Sequence, residues 1–444
     1  VRGALAIDDQ HKTELVEKAI QITGLTNPNS RNQLLTWIND NSDLKLEKLT
    51  KETVAESLQI AEDQVAEVLH IRRALAKSSI SKYESMKNAV CADGRIRGVL
   101  QFYGANRTGR WAGRLVQVQN LPHDVPVAMD TAIRLVKNGN ARGVKLMYGH
   151  ISTSLSHLIR AAFVAPEGSL LCVSDFSAIE ARVLSWLADE KWRQDVFAKG
   201  GDIYCASASS MFGVPVEKHG INGHLRQKGK VAELALGYQG GPPALITMGA
   251  LKQGLTEDEL PDIVHRWRGA NPRICGLWYD VDGAALSVMS DARPVGLPHG
   301  ILISRECNLL YGYDYLTIQL PSGRKLYYPQ PYINENQFGK PALHYRVQAG
   351  IKWSHTSTYG GKLVENITQA IARDCLALAI NRLVKAGYKP LMHIHDEVVL
   401  EVPKDKIHED EIDRINQIMC APIPWAPGLL LNADGFISPY YTKD

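Results

Sequence analysis

Leu170-Leu171-Cys172-Val173-Ser174-Asp175-Phe176-Ser177-Ala178-Ile179-Glu180-Ala181-Arg182 changes its pattern halfway along. The apolar run at its start reads as a buried strand that ends at Ser174-Asp175. Ser177 then offers a cap to a helix carrying Ile179, Val183, Trp186 and Leu187. An aspartate at a strand end has a well-fixed direction, although most such aspartates are plain turn residues. A second acidic strand end lies far along the chain. Met392-His393-Ile394-His395-Asp396-Glu397-Val398-Val399-Leu400-Glu401-Val402 reads as strand, tight turn and strand.

Two carboxylates converging from separate strands, Asp175 and Asp396 with Glu397 beside it, make a hard-oxygen site suited to magnesium. His393 and His395 offer a rival, a zinc or iron site of the His-x-His type. Strand alternation would put both histidines on one face and Asp396 on the other, which weakens that rival.

Between the two acidic strand ends lies a helical pattern over about 224–237. Arg226, Lys230, Leu234 and Tyr238 follow at four-residue steps and so share one face. A polyanion along that face would meet two cations and then an aromatic ring. Taken alone, Arg and Lys four apart most often mark a solvated face. Tyr238 and the glycines Gly237, Gly240 and Gly241, which permit close approach or a turn, shift the balance.

The rest of the chain bounds the answer. Its 444 residues are 45% apolar and 22% charged, an ordinary globular composition of two to four domains at roughly 150 residues each. No run of about 18 apolar residues predicts a membrane span, and no charged-then-apolar leader is present. The seven cysteines are scattered without a C-x-x-C pair, which argues against a disulfide framework or zinc site and for a reducing, cytoplasmic compartment. The formal charge is only +3, yet Arg72 to Arg114 holds ten Lys/Arg, among them Lys77, Arg95 and Arg97, against Glu84 and Asp93. That segment predicts one cationic surface for a polyanion. The first hundred residues are expected to be mostly helical. Ser30 with Gln33 forms a candidate capping box, and Val65, Leu69, Leu75 and Ile80 carry a longer period. Another helix is expected over 362–386, and strands and hairpins over 301–333.

Together these segments are far more specific than any one of them. Asp175 to Arg182 resembles motif A of the family A (DNA polymerase I type) DNA polymerases, with wording most like bacteriophage members. Arg226-x3-Lys230-x7-Tyr238 resembles their motif B, and His395-Asp396-Glu397 resembles their motif C, all in the family's order. Thr108-Gly109-Arg110, with Gln119-Asn120-Leu121-Pro122 beyond it, resembles the primer-end segment. Asp202-Ile203-Tyr204 resembles the start of the fingers, where many members have His in place of Tyr204. Gln369 and Asp374 match another pair. The resemblance covers about residues 60–435.

The resemblance implies an α+β, right-hand polymerase fold. A thumb-like helical region would fill 1–100, the palm 101–187 and 355–444, and fingers with a strand-rich insert 188–354. It implies template-directed extension of a primer 3′-hydroxyl with dNTPs, releasing pyrophosphate, in DNA replication. Two Mg2+ ions, replaceable by Mn2+, would be held by Asp175, Asp396, the Phe176 carbonyl and, less securely, Glu397. Arg226 and Lys230 would meet the triphosphate, with Lys230 able to protonate the leaving group. Glu180 would exclude a 2′-hydroxyl, Tyr204 would reach a phosphate, and Tyr238 would pack near the templating base. Arg110, Gln369, Arg182, His395, Arg95 and Arg97 would hold primer-template DNA. The implied partners are DNA and dNTPs, with no membrane, for a monomer in the cytoplasm of a host cell.

Departures from the pattern matter too. Leu234 stands where the family usually has Phe or Tyr, which touches selection at the sugar 3′ position. Asn366 lies three residues before Gln369, where better-known bacterial members have four. No Asp-x-Glu exonuclease motif precedes the helical region, so this stretch is expected to lack proofreading. A single-subunit RNA polymerase is the nearest rival, disfavoured by Glu180. An inactive polymerase fold that only binds DNA is disfavoured by the joint presence of Asp175, Asp396, Arg226 and Lys230.

Overall fold

The computed structural model describes residues 1–76, 80–122, 124–308 and 310–442, so Lys77 lies outside the described residues. Contacts divide the chain into two compact units. The first comprises 1–101, 113–171 and 438–444; the second comprises 102–112 and 172–437.

The first unit is mainly helical. Its long helices include α1 (Arg2–Thr23), α2 (Arg31–Asp40), α3 (Asp63–Leu75) and α4 (Ser81–Ala89). Ser30 caps α2 by accepting from the Gln33 N–H at 3.5 Å. Leu34, Ile38, Val65, Val68 and Leu69 pack into one small core between α2 and α3. The apolar period therefore does its expected work up to Leu75, where α3 ends; Ile80 belongs to the start of α4.

The second unit is built on a sheet of four strands in the order β9-β10-β1-β11. Here β1 is Ser169–Phe176, whose Cys172–Phe176 portion lies in this unit, β9 is Lys389–Ile394, β10 is Glu397–Pro403 and β11 is Ala433–Ser438. Helix α5 (Ile179–Leu187) follows β1, and α11 (Gly360–Lys385) packs against it. Phe176, Val183, Leu187, Ile367 and Ile371 are all buried in this core. Truncating one of them to Ala would cost about 2–5 kcal/mol.

Between α5 and α11 the chain forms α6 (Lys191–Ala198), α7 (Ile203–Phe212), α8 (Arg226–Leu236), α9 (Leu260–Ala270) and α10 (Pro272–Asp291). Two antiparallel sheets follow. The first orders β2 (Val295–Leu297), β3 (Ile301–Asn308), β4 (Tyr313–Gln319) and β5 (Lys325–Pro329) side by side. The second joins β6 (Tyr332–Glu335), β7 (Pro341–Ala349) and β8 (Lys352–Ser357). The strand-rich segment thus runs to Ser357, well past the 333 that its Tyr/Ile/Leu content suggested. His344, Arg346, His355 and Lys352 dilute the apolar signal there. No helix of the described residues is long and apolar enough to cross a membrane.

Candidate active site

β1 delivers Asp175 and Phe176 beside the turn that joins β9 to β10. The Phe176 N–H donates to the Asp396 carbonyl at 3.3 Å, so the two acidic segments meet through the backbone. Pairing of Ile394 with Glu397 leaves His395-Asp396 as a two-residue turn. His395 adopts φ +56°, a left-handed conformation that costs a histidine energy and that functional sites often retain. Alternation therefore does not extend to His395 and Asp396, and the expected opposite-face argument fails there. The two histidines separate for another reason. The His393 ring packs against Trp111 with centroids 4.5 Å apart, and burial, then the charge of Arg373, pushes its pKa down to about 4.

Helix α8 forms the other wall. Gly229 lets it lie directly on α7, since a Cβ there would come within 2.1 Å of the Tyr204 carbonyl oxygen. This close approach sets the Tyr204 ring under two cations, 5.2 Å from the Arg226 guanidinium and 5.9 Å from Lys230 Nζ. Burial, then the charges of Glu233 and Asp202, push the Tyr204 phenol up to about 12, so it remains a donor. Arg226 Nε donates to Asp202 Oδ2 at 2.7 Å. The Asp202 Oδ1 caps α7 by accepting from the N–H groups of Tyr204 and Cys205.

One cleft of about 360 Å³ gathers Asp175, Phe176, Glu180, Tyr204, Lys230, Leu234, Tyr238 and Asp396. Inside it, Glu180 is fixed from two sides. Arg110 forms an ion pair with one carboxylate oxygen, and Tyr238 Oη donates to the other at 3.2 Å. Burial, followed by the Glu180 charge, holds the Tyr238 phenol well above its usual range. Leu234, 44% exposed, presents a bare aliphatic side chain to the cleft.

The donor chemistry suits a hard divalent cation. Two carboxylates and a backbone carbonyl on neighbouring segments leave room for water and phosphate oxygens, the habit of magnesium. Among the described residues no group of three or more His, Cys, Asp or Glu side chains gathers as a metal cage. Glu397 is 1% exposed at the start of β10 and is not among the residues that line the cleft.

Other expectations need correction. Ser177 does not cap α5; Ala178 holds the cap position at φ +52°, and Ser177 Oγ donates to Asp434 Oδ2 at 2.8 Å. Arg182 is 7% exposed, and its guanidinium donates to the carbonyls of Ser177 (2.8 Å) and Leu430 (3.0 Å). It is a buried clamp and is not available to a DNA phosphate. Gln369 donates to Glu365 at 3.2 Å, and Asn366, 5% exposed, donates to Tyr328 Oη at 3.0 Å. Asp374 is tied to Arg324 and Ser322. In the first unit, Arg97 is held by both oxygens of Asp93, and Arg95 is half-buried.

One network escaped the sequence entirely. Glu233, one residue before Leu234, is buried beside the cleft and pairs with Arg193. Its Oε1 also accepts from Ser207 Oγ at 2.5 Å and Trp267 Nε1 at 2.9 Å. Burial opposes its charge, but Arg193 and these donors outweigh burial and hold its pKa below the usual range. The pair locks α8 to α6, α7 and α9.

Known proteins resemble this chain over much of its length. The model of the family described as DNA polymerase family A matches residues 7–257, which include Asp175 and all of α8. A DNA polymerase of Bacillus phage SP02 is 51% identical over the whole chain, which spans 67% of that protein. DNA polymerase I of Pseudomonas aeruginosa is 24% identical, and the thermostable DNA polymerase I of Thermus thermophilus 27%, each over 58% of the chain. These matches cover only 24% and 25% of those two proteins. A solved structure, the POL domain of Pol1 from M. smegmatis in complex with DNA primer-template and dNTP, aligns at TM-score 0.64 and 18% identity. It covers 99% of this chain and 65% of that one, and shows that the fold is the α+β polymerase fold expected above. The chain belongs to DNA polymerase family A, a family of DNA-directed DNA polymerases.

Proposed function

We propose that the cleft between β1, the β9–β10 turn and α8 extends a primer 3′-hydroxyl with deoxynucleoside triphosphates selected by template DNA. The observation that carries this reading is the meeting of Asp175 and Asp396 with Lys230, Tyr204 and Glu180 in one cleft. Asp175, Asp396 and the Phe176 carbonyl would hold two Mg2+ ions, or Mn2+ in their place. When bound, these ions lower the pKa of the primer hydroxyl and neutralise charge on the triphosphate. Lys230 neutralises phosphate charge and can give its proton to the departing pyrophosphate. Arg226 exchanges Asp202 for a phosphate oxygen. Glu180, held by Arg110 and Tyr238, occupies the space that a ribose 2′-hydroxyl needs.

Arg110, Gln369 and His395 contact the primer-template, Gln369 leaving Glu365 to do so, and Arg95 and Arg97 hold its phosphates through charge, Arg97 leaving Asp93. The four-part division into thumb, palm, fingers and palm belongs to this reading, as do a monomeric state and work in a host cell's cytoplasm during replication.

Primer extension on a primed single strand tests it. With Mg2+ present, the nucleotide complementary to the first template base should be added and the other three largely refused. No extension in Mg2+ or Mn2+, or addition indifferent to template, would overturn the reading. Preferential use of ribonucleotides would favour an RNA polymerase instead.

A further inference from the structure

The sheet of β6, β7 and β8 has two unlike faces. On the inner face, Leu343 and Tyr345 of β7 are buried in the main core of the second unit. On the outer face, the register sets Tyr332 opposite His344, His355 opposite Arg346 and Trp353 opposite Gln348. Tyr332 stacks on His344 with centroids 5.2 Å apart and meets His355 edge-on at 5.7 Å. The Arg346 guanidinium lies 5.5 Å over the Trp353 ring. Trp353 is 54% and Tyr332 36% exposed. Single exposed rings are ordinary on a protein surface, whereas a contiguous set on one flat face marks an interaction site.

Charge identifies the occupant. The only carboxylate in these three strands is Glu335, which pairs with Pro341 in register and so lies, exposed, on the face opposite Tyr332. Arg346 Nη1 donates to Gln330 Oε1 at 3.0 Å, a neutral acceptor, and no ion pair among the described residues cancels its charge. The neighbouring sheet makes a useful contrast. It also exposes tyrosines, Tyr313 and Tyr327, but its charges are closed by the pairs Lys325–Glu306 (2.6 Å) and Arg305–Asp314 (2.8 Å). Rings beside one cation, Arg346, and no carboxylate on the same face, match a chain of flat bases joined by phosphates. Stacking on ring faces serves every base, so such a platform tolerates any sequence.

We propose that the outer face of β6, β7 and β8 binds single-stranded DNA, as a site separate from the catalytic cleft. Trp353 and Tyr332 stack bases, and Arg346 meets a phosphate. This goes beyond the proposed function, because it needs none of the cleft's chemistry.

The test uses the full chain, first saturated with a blunt-ended DNA hairpin, and a fluorescein-labelled dT16 strand titrated by anisotropy. The wild type should bind dT16. Trp353→Ala and Tyr332→Ala should each weaken binding about fivefold to a hundredfold, and Trp353→Phe should recover most of the loss. Arg346→Gln should reduce the slope of log affinity against log salt by about 0.7. Unchanged thermal unfolding of these exposed-site variants confirms that they fold. No dT16 binding by the wild type, or equal binding by both alanine variants, would overturn the proposal. So would loss of self-association in Trp353→Ala with dT16 binding intact, which would make this face a protein interface. A chain that binds dT16 as described yet extends no primer would sink the cleft reading alone.

Discussion

Arg226 Nε lies 2.7 Å from Asp202 Oδ2, so the first cation of α8 already has an anionic partner before any nucleotide arrives. Both side chains are a quarter exposed, within reach of a competing phosphate. Asp202 holds Arg226 in a fixed position, and in the proposed reading a nucleotide phosphate displaces it. Asp202→Asn retains an oxygen to cap α7 but removes the competing charge. The nucleotide KM should fall about twofold to fivefold, the worth of a partly exposed ion pair, with kcat little changed. Steady-state extension with varied dNTP measures it; an unchanged or higher KM would mean that Arg226 does not change partners.

Glu180 in the cleft is gripped by both a cation and a phenol. In the proposed reading this grip lets it act as a barrier, since a mobile carboxylate would swing away from an extra hydroxyl. Glu180→Ala should raise ribonucleotide use relative to deoxyribonucleotide by about tenfold or more, equivalent to about 1.4 kcal/mol or more. Tyr238→Phe should do less, because Arg110 still holds the carboxylate. Single-nucleotide kinetics with each sugar gives the ratio, and an unchanged preference in Glu180→Ala would remove it as the gate.

Leu234 offers no hydroxyl to replace a missing sugar 3′-hydroxyl. A dideoxynucleotide would leave polar groups about the triphosphate unpaired, at about 1–3 kcal/mol each. The wild type should therefore discriminate against dideoxynucleotides, and Leu234→Tyr should relax this by about one to two orders of magnitude at about 1.4 kcal/mol per tenfold. Competition between the two nucleotides in a single turnover reads it directly. No change in Leu234→Tyr would mean that this side chain does not face the sugar.

His393 supplies a pH signature. Its folded pKa of about 4 lies below the ordinary value of 6.5, so the unfolded chain takes up the proton first as pH falls. Its contribution to stability is intact above pH 6.5, declines through the interval and is fully lost below about pH 4. Urea unfolding at pH 7 and pH 5 should show a larger stability loss in wild type than in His393→Gln. Equal losses would place the titration elsewhere.

The parts of the site that lie close in sequence were legible, because strand edges and helical steps fix direction locally. Asp175, Asp396, Lys230, Leu234 and Tyr238 follow from such spacing. What escaped depends on backbone geometry or on distant partners. Ala178 takes the cap position in a left-handed turn that Ser177 seemed suited to avoid, and His395 leaves the strand alternation for the same reason. Arg182 looks like a phosphate ligand until the carbonyl of Leu430, almost 250 positions away, claims it. Arg193 and Glu233 sit 40 residues apart on separate helices, and neither stands out from the charged residues of a solvated face. The Gly229 contact with Tyr204 could have been suspected, since a glycine between Arg226 and Lys230 weakens the helix unless something packs there.

The central claim is that Asp175 and Asp396 hold the metal ions while DNA is held elsewhere. Single-turnover primer extension by Asp175→Asn and Asp396→Asn, alongside primer-template affinity by anisotropy, tests it most directly. Both variants should lose extension almost completely and bind primer-template close to wild type, because phosphate contacts are distributed over many residues. Extension within about tenfold of wild type by either variant would remove that aspartate from the metal site.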